Sequence, residues 1–173
     1  MSAVLRPVSE NDAGALQAIY AHHVLHGLAS FELEPPSVDE MRTRVARVVA
    51  DGFPYLVAEA EGHVLGYAYA SHFRTRPAYR YTVEDSVYVA PDATGQGLGR
   101  RLLTELIARC EALGYRQMIA VIGDSANAAS IGVHHACGFG KMAVFEATGF
   151  KFGRWVDTVL MQRALGDGER TLP

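Results

Sequence analysis

The chain has 173 residues, 16 basic against 19 acidic, a net charge of −3 and two cysteines. That length suits one domain whose core needs no disulfide or metal staple, and the slight acidity excludes a general attraction to nucleic acid or an anionic membrane. No apolar run reaches transmembrane length or stands behind a basic start at the N-terminus, so neither a membrane span nor a signal peptide is expected and a cytoplasmic domain is the default.

Taken in order, Val4–Val8 predicts a short strand, and Asn11 or Asp12 can cap a first helix that turns Leu16, Ile19, Tyr20 and His23 inward. Gly27 ends that region, and Ala29 to Pro36 is extended or irregular, because residues before proline are kept out of helix. Ser37 opens a second helix. Glu40, three residues on, completes a capping box, and Met41, Val45, Val48 and Val49 supply the apolar face. Tyr55–Glu61 and Val64–Ser71 predict two strands around a tight turn at Glu61-Gly62-His63. His72 to Tyr81 is a loop with three arginines and two tyrosines.

The most informative stretch follows. Val83–Val89 is rich in β-branched residues and is ended by Pro91, so it predicts a strand. Leu98, Leu102, Leu103, Leu106, Ile107, Cys110 and Leu113 form one stripe at helical spacing. Between them lies Gly95-Gln96-Gly97-Leu98-Gly99. A strand feeding a glycine-rich turn and then a helix N-terminus suits a phosphate, because free N–H groups converge there and the helix dipole favours negative charge. Arg100 and Arg101 stand where a nucleotide-triphosphatase loop needs Lys-Ser or Lys-Thr, and the spacing Gly-x-Gly-x-Gly is not the dinucleotide fingerprint.

Gly114 stops the helix, and Met118–Ile122 is apolar enough to predict a strand buried on both faces. A further helix spans about Asn127 to Cys137 and closes at Gly138. Lys141–Ala147 and Val156–Arg163 predict two closing strands linked by Thr148 to Trp155, with a polar tail over 166–173. The order β-α-α-β-β-β-α-β-α-β-β makes residues 1–165 one mixed α/β domain. Cys110 lies on the helix stripe and Cys137 precedes Gly138-Phe139, which predicts buried free thiols and no metal site.

These motifs resemble the GNAT N-acetyltransferase superfamily. Gly97 and Gly99 match its Arg/Gln-x-x-Gly-x-Gly turn, with Thr94 where arginine or glutamine is usual; Asn127, Ser130, Gly138 and Phe139 match its later Asn-x-x-Ser/Ala and Gly-Phe pattern. Ala29-Ser-Phe31-Glu32, Thr82 to Val89, Asn127 to Ile131 and Gly149 to Asp157 are similar to the phosphinothricin and methionine-sulfoximine acetyltransferase branch. The resemblance implies a centrally splayed sheet flanked by helices, and acetyl-CoA as cofactor. It implies acetyl transfer to the amine of a small amino-acid-like acceptor, both substrates being held together, and a homodimer.

Glu84 is the expected base, since an α-ammonium must lose a proton before it attacks a thioester. It shares a strand face with Thr82, Ser86 and Tyr88, opposite Val83, Val87 and Val89, and the branch has a glutamate with this role. Asp85 falls on the apolar side, where it is expected to order local backbone or an arginine. His134 matches a position where many superfamily members carry an acidic tyrosine; it either donates to the CoA sulfur, packs against the cofactor or is structural. The backbone N–H groups of Thr94, Gly95, Gln96, Gly97, Leu98 and Gly99 are expected to hold the pyrophosphate, and Arg100 is a further expected cofactor residue. Asn127 is expected to bind the pantetheine arm or to hold the splay that admits it, and Ser130 is expected among the cofactor-binding residues. A strand N–H around Tyr88 or Val89 is expected at the thioester oxygen. For an acceptor carboxylate the candidates are Arg74, Arg76 and Arg80; the branch favours Arg74, with Phe31, Tyr79 and Lys151 lining the pocket. Two other readings stand beside this one, acetylation of a peptide N-terminus or polyamine, and a non-catalytic acyl-CoA-binding module.

Overall fold

A seven-stranded sheet crosses the molecule in the order β1-β2-β3-β4-β5-β7-β6. The computed structural model describes residues 3–173, so Met1 and Ser2 of the expected domain lie outside the described residues. Along the chain the elements are β1 (Val4–Pro7), α1 (Ala13–His26), α2 (Val38–Ala50), β2 (Tyr55–Ala60), β3 (His63–His72), β4 (Thr82–Val89), α3 (Leu98–Ala112), β5 (Gln117–Gly123), α4 (Ala128–Ala136), β6 (Gly140–Lys151) and β7 (Arg154–Ala164). This is the predicted order.

Local chemistry explains most of it. The Ser37 hydroxyl accepts the Glu40 N–H and starts α2, although the return half of the expected box is not formed. Between β2 and β3, Glu61 and Gly62 both take positive φ, 53° and 79°, the conformation a two-residue hairpin turn requires. On one face of the sheet α3 buries Leu98, Leu102, Leu103, Leu106, Ile107 and Cys110. Gly66 on β3 makes room for it, because a Cβ there would stand 2.9 Å from the Tyr88 carbonyl and 3.4 Å from Leu102 Cδ1. On the other face α1 packs Leu16, Ile19, Tyr20 and Val24, and α2 adds Met41 and Val45. Tyr55, Tyr67, Tyr69 and Tyr88 form a contiguous aromatic layer there.

The feature that positions the site is a parting of strands. Parallel pairing of β4 with β5 runs from Thr82↔Gln117 to Asp85↔Ala120 and stops. Beyond it β4 stays with β3 as far as Val89, while β5 stays with β7 as far as Gly123. The Tyr81 carbonyl accepts from Arg116 and Gln117, and the Ala90 N–H donates to Leu65 on β3. Ladder alternation therefore turns the odd-numbered residues of β4 toward β5 and the even-numbered ones toward β3. Past Asp85, the N–H and C=O groups of Val87 and Val89 face a gap.

Several expectations are corrected. Thr148 to Trp155 is not a linker; β6 and β7 continue through it to a two-residue turn at Phe152-Gly153, with φ 52° and 72°. Leu113 leaves the helix stripe, caps α3 and is exposed, and Val49 on α2 is half exposed. The strand over 118–122 is not buried on both faces, since Val121 is 40 % exposed beyond the point where β4 departs. Cys110 and Cys137 are free and buried. No described helix is long and apolar enough to cross a membrane.

Candidate active site

The parted strands open into a cleft of about 720 Å³, bounded by the C-terminal end of α1, the N-terminal end of α3 and the first turns of α4. Of the expected cofactor residues, Tyr88, Val89, Thr94, Gly95, Gly97, Leu98, Gly99, Arg100, Asn127 and Ser130 line it, and so does His134. Gln96 does not, because the turn carries its exposed side chain outward.

At one end of the cleft the backbone is arranged for an anion. Gly95 and Gly97 sit at φ 75° and 73°, left-handed conformations that a side chain strains. Gly97 is the N-cap of α3, and no side chain caps the helix. The first helical bond is Arg101 N–H to the Gly97 carbonyl, which leaves the N–H groups of Leu98, Gly99 and Arg100 without a partner in the helix. Thr94 turns its hydroxyl back to the Pro91 carbonyl at 3.2 Å, so its contribution to the cradle is backbone, not side chain.

The middle of the cleft has an unpaired strand edge. Alternation commits the Tyr88 N–H to β3, so the groups presented to the cleft belong to Val87 and Val89; this narrows the expectation of a donor at Tyr88 or Val89. Across the gap, Asn127 Oδ1 accepts the Ser130 N–H and caps α4, and Asn127 Nδ2 lies 3.5 Å from the Gly123 carbonyl. Asn127 thus ties α4 to the end of β5 while it also lines the cleft.

Asp85 and His134 meet at the cleft floor. His134 Nε2 lies 2.9 Å from Asp85 Oδ2 and its Nδ1 lies 2.7 Å from the Ser130 carbonyl, with both side chains buried. Burial alone pulls the imidazole pKa down, but the Asp85 hydrogen bond and charge, with the Ser130 carbonyl, outweigh it and lift the pKa above the ordinary histidine value. Asp85 therefore orders a histidine, where the sequence pointed to local backbone or an arginine. Its other oxygen, Oδ1, is buried without a partner among the described residues.

Glu84 occupies the opposite face of β4, opposite Ser71 on β3, and does not line the cleft. It is half-buried with no ion-pair partner among the described residues, and burial, helped by the nearby Asp85 charge, raises its pKa to about 7.

The acceptor residues are not gathered as expected. Phe31 lies against Gly149 and Gly123, where added Cβ atoms would stand 2.5 Å and 2.9 Å from its ring. Lys151 is buried, its Nζ donating to the Ser30 carbonyl at 2.6 Å, so it holds the backbone beside Phe31 and does not line the cleft. Arg74 stacks over Phe73 and Tyr79, and Arg76 is exposed in the same loop; Arg74, Arg76 and Tyr79 do not line the cleft. Sequence reasoning missed two groups. One is the Arg44–Glu32 ion pair with Tyr20, which clamps residues 30–32 from α1 and α2. The other is His23, which lines the cleft; its inward spacing was visible, its partner was not. Among the described residues no three metal-ligating side chains converge.

Comparison with known proteins adds three findings. Residues 5–160 match the family model described as an acetyltransferase (GNAT) domain. A phosphinothricin N-acetyltransferase of Alcaligenes faecalis is 61 % identical over 98 % of this chain and 86 % of its own length; an L-methionine sulfoximine/L-methionine sulfone acetyltransferase of Salmonella typhimurium is 40 % identical over 94 % and 95 %. The crystal structure of a GNAT phosphinothricin acetyltransferase from Sinorhizobium meliloti in complex with AcCoA superposes with a TM-score of 0.96 at 51 % identity, covering 100 % of this chain and 94 % of that one.

Proposed function

The chain belongs to the GNAT acetyltransferase family and is an N-acetyltransferase that uses acetyl-CoA; from that premise we propose that it passes the acetyl group directly to the α-amino group of a small amino-acid analogue of the phosphinothricin, methionine sulfoximine or methionine sulfone type. The observation that carries this reading is the continuity of one cleft from the free N–H groups at the start of α3 to the unpaired edge of β4.

Acetyl-CoA supplies the activated thioester. In this reading the α3 cradle, centred on Gly95, Gly97 and Gly99 with Arg100 beside it, binds the pyrophosphate. The groups of Val87 and Val89 that no strand pairs take the amide-bearing arm as a missing strand would, and an N–H there stabilises charge on the thioester oxygen. Glu84, poised near pH 7, takes the proton of the acceptor ammonium, directly or through one water. His134, with one nitrogen on Asp85 and the other on the Ser130 carbonyl, has no N–H left for the thiolate and braces the cleft floor beneath it; CoA leaves as the thiolate and takes its proton from solvent. The acceptor carboxylate is assigned to Arg74, in the loop that follows β3 one rung beyond Glu84, and Phe31 is assigned to the acceptor's side chain.

Thiol release from acetyl-CoA, measured with the three analogues, ordinary amino acids, polyamines and short peptides, tests this. Saturable turnover with an analogue, lost in Glu84→Gln, is the expected result. Turnover confined to polyamines or peptides overturns the acceptor assignment.

A homodimer is part of the same reading. β6 is a sheet edge, and Phe145, Phe150, Phe152 and Trp155 of the β6–β7 hairpin are each at least half exposed, an apolar surface that a second copy covers.

A further inference from the structure

Past Asp85 the β5-facing groups of β4 lack a strand partner, yet one of them is occupied. His23 Nε2 lies 2.9 Å from the carbonyl oxygen of Val89. A carbonyl only accepts, so Nε2 carries the hydrogen and the ring is the Nε2–H form. The same peptide unit is held at its other end, where the Ala90 N–H donates to the Leu65 carbonyl at 2.9 Å. The ring also packs against Tyr88 at 5.4 Å, and Tyr20, one helical turn earlier, meets Tyr88 edge-on at 5.1 Å. α1 thus grips the free end of β4 at two points one turn apart. His23 stands on the cleft wall while it does so.

We infer that His23 is a positioning residue for the cofactor arm: it takes the place of the absent β5 rung at Val89 and keeps that peptide in strand geometry, ready for the arm to add as a strand. A carbonyl oxygen has two lone pairs, so the His23 bond leaves one for an amide N–H of the arm. Without His23 the last open rung is fixed from the Leu65 side alone, and the binding free energy must then include the cost of ordering it. The inference rests on the reading that the arm lies along Val87–Val89.

The test is calorimetric titration of wild type, His23→Phe and His23→Gln with two probes, acetyl-CoA and adenosine 3′,5′-bisphosphate, which lacks the arm. Phenylalanine keeps a ring against Tyr88 but has no donor, and glutamine restores an N–H at similar reach. Expected are an acetyl-CoA affinity about ten-fold weaker in His23→Phe, the size of one hydrogen bond, recovery in His23→Gln, and unchanged binding of the bisphosphate by all three. The KM for acetyl-CoA should rise in His23→Phe and return toward the wild-type value in His23→Gln. Equal loss of both probes, or no loss of acetyl-CoA affinity, overturns the inference. Wild type that binds acetyl-CoA no tighter than the bisphosphate overturns the arm's placement itself, a separate failure visible before any variant is made.

Discussion

Asp85 and His134, 49 residues apart in sequence, are joined at 2.9 Å on the floor of the cleft, at the rung where β4 and β5 part. The pair fastens α4 to the last shared rung of the two strands, while Asn127 fastens the start of the same helix to the end of β5. The parting is therefore held from one helix, with both nitrogens of His134 directed at acceptors.

That geometry makes stability depend on pH with a definite sign. His134 has a folded pKa above its unfolded value, so its contribution is complete below about 6.5 and is lost as pH rises through the folded value. Asp85→Asn removes the charge that sustains the shift. Denaturant unfolding from about pH 6 to pH 9 should show wild type more stable by about 2 kcal/mol at the acid end, with the gap closing toward alkaline pH. A gap independent of pH would mean that the pair is not ionic.

Glu84 gives the opposite balance between stability and activity. Its folded pKa of about 7 lies above its unfolded value, so its charge destabilises the fold as pH rises from about 4.5 to 7. Glu84→Gln should accordingly be about 1–2 kcal/mol more stable than wild type at pH 8, allowing for the solvent that reaches a half-buried group. The same variant should lose about 10²–10⁴ in kcat while binding acetyl-CoA normally. In wild type, kcat/KM for the acceptor should climb about ten-fold per unit below pH 7 and then level off.

Element order and the cradle were legible because both depend on neighbours in sequence: the α3 stripe, the Ser37 cap and the glycines at 95, 97 and 99. What depended on distant partners was not. Asp85 had no visible reason to meet His134, and nothing near Lys151 in sequence announced its bond to the Ser30 carbonyl, 121 residues away. Gly149 and Gly153 both lie in the stretch expected to link the closing strands, but only Gly153 turns the chain. Gly149 is strand, and it is bare because Phe31 lies on it.

Gly97 offers a test of the cradle. At φ 73° an added Cβ meets open space, so Gly97→Ala acts through backbone strain alone. The substitution should cost about 1–2 kcal/mol of stability, and acetyl-CoA affinity should fall about ten-fold as the first N–H groups of α3 turn away from the pyrophosphate. Calorimetry alongside thermal melts separates the two. Unchanged affinity in a destabilised protein would remove the turn from the binding site.

The 30–32 segment should behave as a positioned acceptor wall. Lys151→Met deletes the hydrogen bond to the Ser30 carbonyl while preserving most of the buried volume. In the proposed site this loosens Phe31, so the acceptor KM should rise about three- to ten-fold with the acetyl-CoA KM unchanged. Gly149→Ala should reproduce the split by pushing the Phe31 ring from its seat. A change in the acetyl-CoA KM alone would place this segment on the wrong substrate.

Trp155 tests the proposed homodimer. It is 65 % exposed and packs edge-on to Phe150 at 5.2 Å, across the hairpin that forms the sheet edge. A glutamate at such an exposed position adds no buried charge within one chain, so Trp155→Glu should leave the subunit folded with its far-UV circular dichroism unchanged. Across a two-fold contact the same surface meets itself, and one substitution introduces two like charges. Light scattering at about 20 μM should then give twice the chain mass for wild type and the single chain mass for the variant, a shift that needs the contact to weaken by only about 3 kcal/mol. Wild type at the single chain mass would show that this aromatic edge stands alone in solution.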